Sequence, residues 1–101
     1  MHKILVLYPK GQDDAKFRSH YETVHVKLTA KLPGLLAQRY SFAIDGIRGQ
    51  EAPFYCVFEA DFPDAATFAR AMQSPEGQAV GADGPNYVTV PPIIMHYDVN
   101  G

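Results

Sequence analysis

Two histidines five positions apart, His20 and His25, stand in the run from Asp13 to Gly34, DDAKFRSHYETVHVKLTAKLPG. Imidazole titrates close to neutral pH, so either can take a proton from carbon or an enol and give it back. His25 is the first candidate for a general acid or base, with Tyr21 beside it. The hydroxyls of Tyr21, Tyr40, Tyr55 and Tyr97 can orient a carbonyl or stabilise an enolate by hydrogen bonding. Arg39 can hold a substrate carboxylate with two parallel bonds. Each group also has a plainer reading. His25 can fix the helix on a sheet through a backbone group, the tyrosines can be core or interface aromatics, and Arg39 can pair with Glu59 or Asp61. The candidate set is therefore His25 and Tyr21 for catalysis, with His20, Arg39, Tyr40 and Tyr55 for substrate binding.

Metal chemistry has little support. Residues five apart on an α-helix are separated by about 500°, so His20 and His25 are expected to point some 140° apart and not to share one ion. His2 and His96, on what read as outer strands, can lie near each other but suit ordinary solvated histidines. Cys56 falls on the apolar face of a strand without a basic neighbour and reads as an inert core thiol. Gly77, Gly81 and Gly84 do not follow a strand, so they are no nucleotide loop. No metal and no organic cofactor is expected.

These side chains are carried by elements with legible periods. Phe17, Tyr21, Val24, Leu28 and Leu32 recur at helical spacing, which predicts an amphipathic helix with His20 and His25 on the shoulders of its buried stripe. Asp13 or Asp14 caps it, and Pro33-Gly34 stops it. Lys3 to Tyr8 reads as a strand covered on both faces. Leu36 to Ile44 reads as a second strand, with Gln38, Tyr40, Phe42 and Ile44 on one face. Pro53 to Phe62 makes a third, apolar through Phe54, Cys56, Phe58, Ala60 and Phe62 and mixed through Tyr55, Val57, Glu59 and Asp61. Ala65, Phe68, Ala69 and Met72 predict a shorter helix over 64–73. Ser74-Pro75 restarts a helix that three glycines weaken, and Pro91 to Val99 closes the chain as a fourth strand. Strand, helix, strand, strand, helix, strand is the split βαβ order of a ferredoxin-like sandwich: an α+β fold with a four-stranded antiparallel sheet and both helices on one face. The other face is left apolar and open, so a second copy is expected to cover it.

The bulk numbers agree with one domain over residues 1–101. Nine basic against eleven acidic residues, with no block of either sign, give no footprint for nucleic acid or an anionic membrane. One cysteine excludes an internal disulfide and fits a reducing, cytoplasmic setting. The amino terminus has neither the length of a membrane span nor a signal-peptide cleavage site.

The run Phe17-x-x-His20-Tyr21-x-x-x-His25-x-x-Leu28-x-x-x-Leu32-Pro33-Gly34 resembles the signature of the EthD family. The run Ser74-Pro-Glu-Gly-Gln-Ala-Val-Gly-Ala-Asp83-Gly-Pro-Asn-Tyr87 is similar to the same family's downstream segment. The resemblance spans essentially the whole chain. It implies a homodimer in which two ferredoxin-like sheets pack face to face into an α/β barrel, with a small-molecule pocket in each subunit between helices and sheet. His25 matches the family's helix histidine, and Tyr21 and Pro33-Gly34 match as well. His20 departs, standing where members often carry an aromatic residue. The family's namesake is associated with bacterial degradation of ethyl tert-butyl ether, and barrel relatives include methylmuconolactone isomerase, polyketide cyclases and cofactor-free monooxygenases. The resemblance thus implies bacterial catabolism or biosynthesis of an aromatic, lactone, ether-derived or polyketide-like compound. The chemistry would be cofactor-free proton transfer by an isomerase, cyclase or oxidoreductase. The alternative is a ligand-binding or accessory protein that uses the same cavity without turnover.

Overall fold

A computed structural model describes residues 1–101 as strand β1 (His2–Pro9), helix α1 (Asp14–His20), a π turn (Tyr21–His25), helix α2 (Val26–Thr29), strands β2 (Ala37–Ser41) and β3 (Phe54–Phe62), helices α3 (Ala65–Gln73) and α4 (Pro75–Asp83), a 3₁₀ turn (Gly84–Asn86) and strand β4 (Ile93–Asp98). The sheet runs β2-β3-β1-β4, and every pairing is antiparallel. This is the expected ferredoxin-like fold. The second strand is shorter than its alternation suggests. Ser41 ends it by bonding through its hydroxyl to both the carbonyl and the amide of Ala43, a local side-chain bond that competes with the strand ladder.

The core lies between one sheet face and the helices. Opposed pairs Val6 with Phe58, Ile4 with Ala60 and Tyr8 with Cys56 line that face, as period-two strands require. Phe17, Tyr21 and Leu32 from the first helical rod and Phe68 and Ala71 from α3 are buried against it. Cys56 is fully buried, and burial pushes its thiol up to about 12, so it is a packed, unreactive side chain.

The first helical rod differs from the α-helix that its stripe predicts. At its centre Val26 N–H bonds to the carbonyl of Tyr21, an i→i+5 turn. A π turn accommodates one residue more than an α turn and shifts the face of everything after it. Val24, expected within the stripe, is 38% exposed, whereas His25, expected on the shoulder, is 5% exposed. The buried stripe becomes Phe17, Tyr21, His25, Thr29 and Leu32.

Capping fixes the other helices. Asp64 accepts from Thr67 N–H at 2.7 Å, and Ser74 accepts from Gly77 N–H at 3.1 Å with Pro75 at the first helical position; such caps contribute about 1 kcal/mol each. Gly77 has a steric reason to be glycine. A Cβ there would stand 2.2 Å from the Ala71 carbonyl oxygen, so its absence lets α4 fold back sharply on α3. Gly81 and Gly84 meet no such contact, and each lowers helix stability by about 1 kcal/mol relative to alanine. Amide hydrogen exchange over Pro75 to Asn86 is therefore expected to be faster than over Phe17 to Leu32. Equal protection of the two segments would contradict that expectation.

On the outer sheet face, one end is charged and the other apolar. Arg39 bonds Glu59 Oε1 at 2.9 Å and Asp61 Oδ2 at 2.7 Å, and Lys3 approaches the same two carboxylates at 3.7 and 3.6 Å. Farther along, Leu5 opposes Met95 and Leu7 opposes Ile93. Met95 and Ile93 are exposed. Strand β1, expected at the outside, is an inner strand, and His2 is buried rather than solvated. Its ring bonds to Asp98 at 2.7 Å and to His96 at 2.9 Å.

Candidate active site

His20 and His25 converge, contrary to the divergence that an uninterrupted α-helix dictates. The π turn brings residues five apart toward one side of the helix, and both imidazoles donate to the carboxylate of Asp83. His25 Nδ1 lies 2.9 Å from Oδ2, and His20 Nε2 lies 2.8 Å from Oδ1 and 3.0 Å from Oδ2. Asn86 Nδ2 donates to Oδ1 at 3.0 Å. The carboxylate is only 6% exposed, and this set of donors is what makes burying it tolerable. Burial alone would raise the Asp83 carboxyl. The bonds from Asn86, His25 and His20 outweigh it and hold the group below its ordinary range, hence ionised.

The other nitrogen of His25 continues the chain. Nε2 lies 3.0 Å from the hydroxyl of Tyr87, which lies 2.8 Å from the hydroxyl of Tyr8. An anionic Asp83 requires the proton of a neutral imidazole on Nδ1, which leaves the Nε2 lone pair to accept from Tyr87. Burial lowers the basicity of His25; attraction to Asp83 opposes this, His20 adds to it, and the net is a value below that of free histidine. The imidazole is therefore neutral near pH 7 and available as a base. Burial also pushes the Tyr8 phenol up to about 12 and drives Tyr87 higher still. Both phenols remain protonated and act as donors.

Local sequence explains the placement of each group. Asp83 closes α4, and the Gly84-Pro85-Asn86 turn that follows puts Asn86 and Tyr87 three and four residues beyond it, on the same side. Tyr8 points inward because β1 alternates, and it packs edge-on against Phe17 and Tyr21 at 5.0 and 5.6 Å between ring centres.

This polar chain forms one end of a cavity of about 550 Å³ between the sheet, α2 and α4. Its walls are mainly apolar, from Ile4, Val6, Leu32, Phe58, Met72 and Val80, while Tyr8, His25, Thr29, Tyr87 and Thr89 supply polar atoms. The volume is typical of small-molecule sites. Ile94, which also borders it, is 60% exposed, so the cavity opens toward β4.

Of the residues that the sequence singles out, His25 lines the cavity and His20 lies behind it on Asp83. Tyr21 is fully buried and stacks on His25 with ring centres 5.3 Å apart, but its hydroxyl has no partner and does not border the cavity. Arg39 belongs to the ion-pair network of the outer face. Tyr40 donates to Glu22 at 3.1 Å, and Tyr55 donates to Asp14. None of these three borders the cavity of this chain. Tyr8, Asp83, Asn86 and Tyr87 were not among the candidates. The last three carried a signal, since polar residues at i, i+3 and i+4 after a helix end fall together, whereas Tyr8 sits in an apolar run and carried none.

A family model described as the EthD domain matches residues 9–91. An uncharacterized 11.0 kDa protein from the thcB-thcC intergenic region of Rhodococcus erythropolis is 29% identical over 90 residues, 88% of this chain and 85% of that protein. The crystal structure of an ethyl tert-butyl ether d (EthD) family protein from Bacillus halodurans is similar at a TM-score of 0.88 and 29% identity, covering 99% of both chains. An EthD-like protein from Ralstonia eutropha matches at a TM-score of 0.75 and 21% identity over 96% of this chain and 89% of its own. With a family match that covers most of its length, on the fold that the structure displays, the chain belongs to the EthD family.

Proposed function

We propose that the protein is a proton-transfer enzyme that enolises a small carbonyl compound or tautomerises a phenol-like one, with His25 as the base. The observation that carries this reading is the chain Asp83, His25, Tyr87, Tyr8, aimed into the polar end of an otherwise apolar cavity. A substrate carbonyl oxygen entering there draws the Tyr87 hydroxyl away from Nε2 and leaves that lone pair free. His25 Nε2 then removes a proton from the carbon next to the carbonyl. The C–H electron pair passes into the enolate, whose oxygen accepts from Tyr87 and Tyr8. Asp83 stabilises the imidazolium that forms, and return of the proton to a different atom of the enolate completes an isomerisation. His20 and Asn86 act through Asp83 as positioning residues.

The direct test is exchange of the α-protons of aryl methyl ketones in D₂O, followed by proton NMR. Exchange above the buffer rate supports the reading. Ligand binding without exchange for any ketone tested would replace it with a carrier or accessory role.

The working unit is a homodimer on this proposal. The support is the outer sheet face, where Leu5, Leu7, Ile93 and Met95 form an apolar area with no cover from the chain itself, an arrangement that monomers seldom leave exposed. Sedimentation at micromolar concentration is expected to give twice the chain mass, and a stable monomer would overturn this point.

A further inference from the structure

We infer that the cavity takes an uncharged, predominantly apolar molecule of two or three linked rings with a single carbonyl or phenol oxygen, whose hydrocarbon body leaves the polar end past Gly81 and Gly84. The inference rests on the reading of His25 and Tyr87 as the end that receives the oxygen. It adds what the rest of the cavity selects.

The first support is charge. No lysine, arginine, aspartate or glutamate borders the cavity. The basic groups nearest in function, Arg39 and Lys3, are committed to Glu59 and Asp61 on the other side of the sheet. A carboxylate brought inside would lose its water without meeting a cation. It would also approach the negative Asp83, which lies behind a neutral His25. The polar side chains present are two phenols, one imidazole and the hydroxyls of Thr29 and Thr89. Thr29 is already engaged with the Val26 carbonyl and with Gln38, and Thr89 is exposed to solvent, so the enclosed donors are those of the His25–Tyr87–Tyr8 cluster. That supply suits one oxygen.

The second support is shape. Gly81 lies within α4 and Gly84 just after it with helical φ of −47°, so neither needs glycine for its backbone. An added Cβ at either would meet no heavy atom within 4 Å, so neither needs glycine for packing. Each nevertheless weakens the helix end relative to alanine. Both border the cavity, and what their bare backbone provides is width on the α4 side. A cavity of about 150 Å³ suffices for benzene. The space here, about 550 Å³, admits a larger ring system.

The test uses 2-acetylnaphthalene and 2-naphthoate, which share a ring system and differ in charge, titrated calorimetrically into the full chain at about pH 7.5, where the acid is ionised. The ketone is expected to bind at least about tenfold more tightly than the carboxylate. Gly81→Leu should weaken ketone binding by about tenfold or more while its thermal midpoint stays at or above the parent's, because leucine is the better helix former. Gly84→Leu provides the same reading if Gly81→Leu does not fold. Equal or tighter binding of the carboxylate, no binding of either probe, or unchanged ketone affinity in the folded glycine variant would overturn the inference. The two proposals fail separately. Tight, ketone-selective binding without α-proton exchange removes the catalytic reading alone, whereas exchange accompanied by a preference for the carboxylate removes this one alone.

Discussion

Replacing His25 by glutamine is expected to lower α-proton exchange by about 10² to 10⁴, the usual contribution of a positioned acid or base. Glutamine keeps an amide of similar reach, able to accept from Tyr87 or donate toward Asp83, but it cannot carry a proton near neutral pH. The variant should therefore fold and keep most of its affinity for a ketone. Alanine would leave Asp83 with only His20 and Asn86 and Tyr87 with only Tyr8, each short of one buried bond, and such a bond contributes about 0.5 to 1.5 kcal/mol. The thermal midpoint of His25→Ala should accordingly fall more than that of His25→Gln. Full exchange activity in His25→Gln would remove the histidine from the chemistry. In the parent, activity should rise with pH to a plateau, with the acid limb below the ordinary histidine value of about 6.5, because burial lowers the folded-state value.

Asp83→Asn is expected to cost about 10² to 10⁴ in exchange rate and to change how stability depends on pH. Both carboxylate oxygens accept in the parent, from His25, His20 and Asn86. An amide presents an N–H₂ group to one of these donors, so His25 loses either its orientation or its tautomer. Asp83 has a depressed folded-state value, so its contribution is present above the unfolded value of about 4 and is lost as pH falls through the folded one. His25 is also depressed. Below about pH 6.5 the unfolded chain takes up the proton first, so stability declines with acidification until the folded value is passed. Both contributions have the same sign, and the midpoint of the parent should fall steadily from neutral to acid pH. The groups around His25 are Asp83, His20, Tyr21 and Tyr87. His25→Gln should flatten the upper part of the curve, and Asp83→Asn the lower part. Superimposable midpoint curves for parent and variants would show that this cluster does not govern acid sensitivity.

The strand order, the antiparallel sheet and the side of it that the helices cover follow from periodicities of two and about 3.6 that run through most of the chain. Phe17, Phe58 and Phe68 sit where those periods put them. The site was less legible because it depends on a break in the period. A π turn leaves no signature in residue types such as Tyr21 to His25, and counting at α-helical spacing sends His20 and His25 apart and buries Val24. Arg39 illustrates a second limit. Its type suits an anion site, but strand register hands it to Glu59 and Asp61, partners that alternation had already placed on its face. Tyr8 illustrates a third. Within an apolar run a tyrosine reads as core, and only its contact with Tyr87, 79 positions away, gives its hydroxyl a role.

The extra residue in the helix also bears on how chemistry can be retained within one architecture as chain length varies. An i→i+5 turn is what a helix does with a single inserted residue whose two ends are both held by packing. Here Phe17 anchors one end and Thr29 and Leu32 the other. Deleting one residue between Tyr21 and His25 would restore an unbroken α-helix, leave both anchors seated, and set His20 and His25 four apart, a spacing that keeps both on one face. The sheet, the cavity and the second helical pair would survive unchanged. The histidine–carboxylate couple can thus be carried by a π turn with one residue more or by a plain α turn with one residue fewer, so chain length across this turn can vary without loss of the couple.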